Sequence, residues 1–293
     1  MSRTAASSTS SLSFRIVNVF TQGNGALTGN PLCVFEEGET LTTHTMQALA
    51  RQFNLSETTF ILPSSVATAR VRIFTPNYEM PFAGHPTLGT AFVCRALGQS
   101  NGNSGDALTL ETNAGVIPVS ARGDRWTLQA NPPTWREAAA TNAAIAAALG
   151  LTEQDLAGRP LWVKSGKEQL IVPLASEAAV RRVKPSVELL GNELSDDGHS
   201  MAYVFAPTGP DRLLSRFFFP SAGALLEDPA TGSATANLGG WMIATGRPLP
   251  ASYEICQGEY AGRPSTLYLN VDAERRILVS GDVIELGRGT LQI

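Results

Sequence analysis

The chain has 293 residues, enough for one large domain or two of ordinary size, and its 43% apolar and 16% charged residues are typical of a globular protein. The net charge is −4 and there is no basic block, so the composition gives no support for binding nucleic acid or a membrane surface. No apolar run is long enough to span a bilayer. The three cysteines form no C-x-x-C pair, which favours a reducing compartment, and we expect a cytoplasmic protein.

The first 13 residues are rich in Ser and Thr and contain no acidic residue. They can be interpreted as the front of a transit peptide, but a disordered tail is favoured because the segment offers little to bury. Ordered structure is therefore expected from about Phe14.

In the first half, β-rich runs bounded by Gly, Pro and Asn predict strands at 14–20, 31–35, 58–63 and 69–76. Residues 45–54 have helical spacing, with Thr42 or Thr43 as the N-cap. Residues 85–98 predict a second helix with few polar positions, Pro86 near its start and Gly98 at its end.

The second half repeats this order, with a helix at 141–150, a series of strands, and a helix at 228–246 that is apolar or small on every face. A helix without a polar face must be surrounded by other elements. The sequence therefore predicts an α+β fold of two pseudo-symmetric units, each a mostly antiparallel, barrel-like sheet around one central helix. Two prolines in the 130–140 region indicate the crossover between a unit of residues 14–130 and a unit of residues 131–281.

Two short motifs recur at nearly the same spacing. His85-Pro86-x-x-Gly89 is followed 143 residues later by Asp228-Pro229-x-x-Gly232. The pattern Arg-x-Phe-x-Pro occurs at 72–76 and again at 216–220. Two copies are too few for a solenoid but are what a duplicated fold would give.

The recurring motifs place polar residues at two predicted helix starts. Helix N-termini bind anions through unpaired N–H groups, so two such ends facing across a cleft would hold a small carboxylate without a cofactor. Asp228, Thr231 and Ser233 would then line a site. The alternative is that these residues are ordinary helix caps. Glu57, between a helix and an apolar strand, is either a solvated loop residue or a carboxylate against apolar walls, with a raised pKa suited to proton transfer.

Five stretches together resemble the PhzF family of phenazine biosynthesis proteins, within the diaminopimelate-epimerase-like superfamily. They are VNVFTQGNGALTGNPLCVF (17–35), ARQFNLSETTFIL (50–62), VRIFTPNYEMPFAGHPTLGTAF (71–92), RFFFPSAGALLEDPATGSATANLG (216–239) and QGEYAGRPSTL (257–267). They run in family order across nearly all of the chain after residue 14, and their combination is highly specific.

The resemblance implies two similar units with the active site in the cleft between them, and a return of the last residues, 282–293, to the first unit. It implies isomerisation of trans-2,3-dihydro-3-hydroxyanthranilate without metal or organic cofactor, with Glu57 shuttling a proton between ring carbons. Catalytic roles are expected for Glu57, His85 and Asp228. The expected substrate-binding residues are Asn30, Gly84, Pro86, Thr87, Thr231, Gly232 and Ser233. The family also suggests a homodimer.

Two alternatives stay open beside this isomerase. One is a racemase or epimerase that uses Glu57 with His85 or Asp228 as the second acid or base, and the other is a binding or scaffold protein that has lost the reaction. A racemase with two thiols is disfavoured, because the helix starts carry His85 and Asp228, while Cys94 and Cys33 are expected in the core. His44 and His199 have no metal-ligand spacing around them, so no metal site is expected.

Overall fold

The computed structural model describes residues 11–99, 106–221 and 223–293. Within these ranges, 17 strands form one continuous sheet. The strands of the first half are β1 (Ser11–Val19), β2 (Asn30–Phe35), β3 (Glu57–Leu62), β4 (Ala69–Phe74), β5 (Glu79–Met80), β6 (Ala107–Thr112), β7 (Gly115–Arg122) and β8 (Arg125–Gln129). Those of the second half are β9 (Thr134–Glu137), β10 (Leu161–Lys164), β11 (Glu168–Pro173), β12 (Ala202–Pro207), β13 (Arg212–Ser221), β14 (Ala224–Asp228), β15 (Ala251–Gln257), β16 (Ser265–Val271) and β17 (Ile277–Gln292).

The helices connect strands of this sheet. They are α1 (Thr43–Phe53), α2 (Gly84–Ala96), α3 (Asn142–Ala148), α4 (Glu177–Arg182), α5 (Val187–Leu190) and α6 (Gly232–Ala244). None of these helices is long and apolar enough to cross a membrane, as far as the described residues show. The Thr42 side chain accepts a hydrogen bond from the Thr45 N–H, which confirms it as the N-cap of α1.

Most neighbouring strands are antiparallel. The two strands of each parallel pair are separated in sequence by one or more helices. In the first half, β2 pairs parallel with β3 and β4 with β6; in the second half, β11 pairs parallel with β12 and β13 with β15. The helix α2 lies between β4 and β6 in sequence, and α6 lies between β13 and β15. The predicted α+β class with a mostly antiparallel, barrel-like sheet is confirmed. The pseudo-symmetry of two units and their boundary at residue 130 stay predictions.

The longest strand, β17, joins elements from the two ends of the chain. Its first residues pair with β16 and β8, and from Val283 onward it pairs with β1. Ser11 lies opposite Gln292 in this ladder. Strand structure is therefore present at residues 11–13, before the expected Phe14, because the end of β17 supplies hydrogen bonds to that segment. Residues 1–10 of the expected disordered tail lie outside the described residues.

The two helices α2 and α6 are buried on nearly every side, as their lack of a polar face predicts. Leu88, Ala91 and Cys94 of α2 are fully buried, and so are Ala234 and Leu238 of α6. The sheet surrounds them with apolar side chains from β1, β2, β4, β16 and β17. Both helices are 13 residues long.

The start of the second central helix differs from the sequence prediction. Residues 224–228 form β14, which pairs with β13 and ends at Asp228, so α6 begins at Gly232. The two helix starts are therefore 148 residues apart, and the 143-residue match of His85 with Asp228 does not align them. The physical reason is that the connection between the Arg-x-Phe-x-Pro motif and the helix is longer in the second half. The ion pairs made by the arginine of each motif show this difference. Arg72 binds Glu79 seven residues later, whereas Arg216 binds Glu227 eleven residues later.

Phe20 fixes the start of α6 against β17, which gives a test of this packing. The ring is fully buried, and a Cβ added to Gly281 would overlap its Cδ1 atom and lie 2.9 Å from Cε1. Gly281→Ala should lower the free energy of unfolding by about 1–3 kcal/mol, measured by urea denaturation. Gly287→Ala in the same strand is the control, since its Cβ meets nothing within 4 Å. Equal stability of the two variants would contradict this account.

Candidate active site

The first turns of α2 and α6 face each other. A Cβ placed on Gly84, the first residue of α2, would lie 3.8 Å from the Cα and carbonyl carbon of Gly232 and from the Ser233 N atom. The early N–H groups of a helix have no partner within the helix and carry partial positive charge. Two such ends therefore meet at one place, with glycine at each start and no side chain to separate them.

Within the described residues, neither of these helix starts is capped by a side chain. The N-cap residues Ala83 of α2 and Thr231 of α6 make no side-chain capping hydrogen bond. The other four helices all have such a cap, from Thr42, Thr141, Ser176 and Ser186. The capping interpretation of Thr231 is thus wrong, since its hydroxyl donates to Asp228 Oδ2 instead. The uncapped N–H groups are free to bind an anion.

Glu57 and His85 lie together beside these turns. Glu57 is the first residue of β3 and lies opposite Leu32 of β2, while His85 is the second residue of α2. His85 Nε2 is 3.3 Å from Glu57 Oε2, and the side chains are 7% and 15% exposed. Neither atom has a hydrogen-bond partner among the described residues. Of the two interpretations of Glu57, the structure supports the partly buried carboxylate.

Burial sets the charge of this pair. Desolvation, and secondly the negative charge of Asp228, raise the pKa of Glu57 to about 8. Desolvation lowers the pKa of His85 to about 3, although a hydrogen bond to the Pro31 backbone opposes this shift. At neutral pH, His85 is therefore uncharged and Glu57 is mostly protonated. A carboxyl group with a pKa near the working pH is suited to both accept and donate a proton.

Asp228 is held by polar contacts from both halves of the chain. Its Oδ1 accepts from Asn30 Nδ2 at 3.0 Å, and its Oδ2 accepts from the Thr231 hydroxyl. Asn30 Nδ2 also donates to the Ala230 carbonyl at 3.0 Å. Desolvation raises the pKa of Asp228 to about 6, while the hydrogen bonds from Thr231 and Asn30 act in the opposite direction. The carboxylate is thus fixed in orientation at the end of β14.

Gln257, which was not predicted from the sequence, determines the hydrogen-bond directions in this cluster. Gln257 Oε1 accepts from the Thr231 N–H at 3.3 Å, so its Nε2 must be the donor to the Asp228 carbonyl, at 2.9 Å, and to Thr231 Oγ1, at 3.0 Å. Because Thr231 Oγ1 accepts from Gln257, its own proton is directed to Asp228. Gln257 lies in the QGEYAGRPSTL stretch, but no spacing signal in the sequence connects it with Asp228.

Most of the sequence-predicted residues lie at or beside the facing helix starts. Gly84, His85, Gly232 and Ser233 lie at the facing turns, and Asn30, Asp228 and Thr231 form the adjoining cluster. Pro86 and Thr87 are buried within α2, where the Thr87 hydroxyl donates to the Ala83 carbonyl at 2.7 Å. Direct substrate contact by any of these residues stays a prediction.

The three cysteines and the potential metal ligands can also be placed in the described structure. Cys33 and Cys94 are fully buried in the core, as predicted, and burial raises the pKa of both thiols. Cys256 is only partly buried. Across the ranges that the structure describes, no group of three or more His, Cys, Asp or Glu side chains is placed to hold a metal ion.

Comparisons with known proteins agree with one another. A family model described as phenazine biosynthesis-like protein, PhzC-PhzF, matches residues 17–288. The chain is 36% identical over 289 residues to a trans-2,3-dihydro-3-hydroxyanthranilate isomerase of Pseudomonas chlororaphis, covering 94% of this chain and 98% of that protein. A crystal structure of a PhzF-family phenazine biosynthesis protein from Bacillus anthracis matches with a TM-score of 0.84 and 24% identity, over 97% of this chain and 100% of that one. A hydroxyproline epimerase from Agrobacterium vitis shares the fold, with a TM-score of 0.65 and 14% identity, over 97% and 93% of the two chains.

The contact between Thr231 and Asp228 can be tested by titration. Thr231→Val keeps the side-chain shape but removes the hydroxyl that donates to Asp228, so the pKa of Asp228 should rise above its value of about 6. NMR titration of the ¹³C-labelled aspartate carboxyl groups measures this change. Thr231→Ser retains the hydroxyl and should leave the pKa nearly unchanged. A pKa that falls in the valine variant would be inconsistent with the assigned hydrogen bond.

Proposed function

The chain belongs to the PhzF family of phenazine biosynthesis-like proteins, and from this premise we propose that it is a cofactor-independent isomerase that moves a proton between two carbon atoms of a small carboxylate-bearing metabolite. The enzyme class, an isomerase, follows from the family, because similar proteins in it are named isomerases. The default substrate is trans-2,3-dihydro-3-hydroxyanthranilate, because three relatives at 36–39% identity are named for its isomerisation.

One observation carries the proposal: an acid whose pKa is raised to about 8 lies beside two facing helix starts that no side chain caps. The helix starts supply N–H groups for a carboxylate or a developing enolate-like oxygen. Glu57 supplies a proton acceptor that becomes a proton donor in the next step. A carboxyl group whose pKa is strongly raised by burial beside such helix starts is typical of a functional site.

The proposed reaction uses Glu57 twice. Its carboxylate takes a proton from one carbon of the substrate, and the negative charge that develops is delocalised onto substrate oxygen. The N–H groups of Gly84, His85, Gly232 and Ser233 stabilise that charge, because these positions lie in the uncapped first turns. Glu57 then returns the proton to another carbon and regains its starting state. No net proton is gained or lost.

His85 and Asp228 orient the substrate in this scheme. The hydrogen bond to the Pro31 backbone and the unpartnered Nε2 indicate that Nδ1 carries the proton of the neutral ring, which leaves Nε2 as an acceptor facing Glu57. Asp228 accepts from Thr231 and Asn30, so its remaining lone pairs are directed by those two contacts. An amine or hydroxyl group of the substrate would donate to them.

The geometry disfavours a racemase in which Glu57 and His85 act as opposed bases. Two bases that act on opposite faces of one carbon must be separated by more than the width of that carbon, yet His85 Nε2 lies 3.3 Å from Glu57 Oε2. The likeness to the hydroxyproline epimerase shows a shared fold and nothing about the reaction. A homodimer and a cytoplasmic location stay predictions.

Solvent-proton exchange tests the proposal directly. The protein is mixed in D₂O with trans-2,3-dihydro-3-hydroxyanthranilate and, separately, with a panel of small amino and hydroxy acids. We expect deuterium to enter one of these ligands with wild type and not with Glu57→Gln, as read by NMR and mass spectrometry. Normal exchange with the glutamine variant would remove Glu57 from the mechanism, and no exchange with any ligand would favour the scaffold alternative.

Stability measurements show whether Glu57→Gln remains folded. A group whose pKa is higher in the folded state stabilises that state when it is protonated. This contribution is complete below the usual pKa of 4.5 and is lost as the pH rises through the folded value of about 8. Wild type should therefore lose stability relative to Glu57→Gln over this range. The variant should be no less stable than wild type at pH 8, so a loss of activity there reports on chemistry.

The pH dependence of kcat/KM tests the assigned base. Since the carboxylate form of Glu57 accepts the first proton, kcat/KM should rise with pH along a limb centred near 8. Asp228→Asn removes a negative charge that raises the pKa of Glu57, so the limb should move to lower pH whatever the remaining rate. A limb that stays in place or moves to higher pH would show that Asp228 does not act on the catalytic group.

A further inference from the structure

A second chain of hydrogen bonds leads from the core to Ser233. The Ser165 N–H donates to Asn237 Oδ1 at 2.7 Å. Asn237 Nδ2 donates to the Lys167 carbonyl and to Gln169 Oε1, both at 2.8 Å, and Gln169 Nε2 donates to Ser233 Oγ at 3.0 Å. Asn237 and Gln169 are 0% and 2% exposed. Buried side chains that are satisfied in this way hold one another in a fixed arrangement.

The donor and acceptor of every hydrogen bond in this series follow from the first bond, in which the Ser165 N–H is the donor. A backbone N–H can only donate, so the oxygen of Asn237 must face Ser165 and its amide nitrogen must face Gln169. Gln169 therefore presents its oxygen to Asn237 and its NH₂ group to Ser233. Ser233 Oγ must accept this bond, and its own proton is left for another partner. No further hydrogen bond of the Ser233 hydroxyl is found in the part of the chain that is described.

The position of Ser233 shows where that proton can be used. Ser233 is the second residue of α6, next to Gly232 at the facing helix starts, and it is partly exposed although the residues that follow it in α6 are buried. Its exposed part therefore lies beside the facing first turns of α2 and α6. The Thr231 hydroxyl is held in the same way. Gln257 donates to it, and this hydrogen bond directs the hydroxyl proton to Asp228.

We propose that Gln169 and Asn237 are positioning residues that hold the Ser233 hydroxyl as a hydrogen-bond donor into the cleft, so that this side of the cleft selects an acceptor group, a carboxylate or carbonyl oxygen, of the ligand. The inference rests on the proposed function for the ligand class. It adds two residues that do not touch the ligand.

The test measures ligand selectivity without turnover. Dissociation constants of 2-aminobenzoate and 2-aminobenzamide are measured by calorimetry for wild type, Ser233→Ala, Gln169→Met and the double variant. Wild type should prefer the carboxylate. Ser233→Ala should lower that preference about tenfold, because a hydrogen bond to a charged group is lost. Gln169→Met should lower it several-fold, and it should have no further effect in the Ser233→Ala background.

Three results would overturn the inference. They are the absence of a carboxylate preference in wild type, an unchanged preference in Ser233→Ala, and a loss with Gln169→Met that is equally large when Ser233 is already alanine. If Gln169→Met does not fold, Gln169→Asn serves instead, since it keeps an uncharged amide but is too short to reach Ser233. Failure of the proposed isomerase is a separate result, because it is read from deuterium exchange and from Glu57.

Discussion

The approach of two helix N-termini is the constraint on which the rest of the structure depends. Both α2 and α6 lack a polar face, so the sheet must enclose each of them, and their first turns become the ends that meet. Glycine at each start allows the close approach, and neither start has a side-chain cap. Like partial charges then face each other at one point, an arrangement that an anionic ligand would stabilise.

The polar groups around this point are held by contacts between distant parts of the chain. Asn30 from β2 binds Asp228 from β14, and Arg263 donates to the Gly29 carbonyl at 2.7 Å. Gln257 and Gln169 then fix the hydroxyl directions of Thr231 and Ser233. A site with dipoles fixed before the ligand arrives needs little reorganisation during the reaction. Glu57 differs from these groups, because its Oε2 has no hydrogen-bond partner in the described residues and so keeps its freedom to transfer a proton.

Sequence reasoning succeeded where a local pattern carries the signal. The periodicity of α1, its Thr42 cap and the apolar character of α2 and α6 were all readable. The end of β14 at Asp228 was not, because the small residues after Pro229 continue the composition of the helix and hide the boundary. The burial of Glu57 depends on its neighbours in the folded sheet, and a single chain could not decide it. Gln169, Asn237 and Gln257 were missed because amide side chains have no characteristic spacing.

The site depends most on the Glu57 carboxyl group, which the fold keeps protonated near neutral pH, and whose Oε2 makes no hydrogen bond within the described residues other than the 3.3 Å approach of His85 Nε2. Titration of the ¹³C-labelled glutamate carboxyl groups by NMR, with the Glu57 resonance assigned by its absence in Glu57→Gln, measures this most directly. We expect one glutamate with an apparent pKa of about 8. A Glu57 resonance that titrates near the usual value of 4.5 would contradict it.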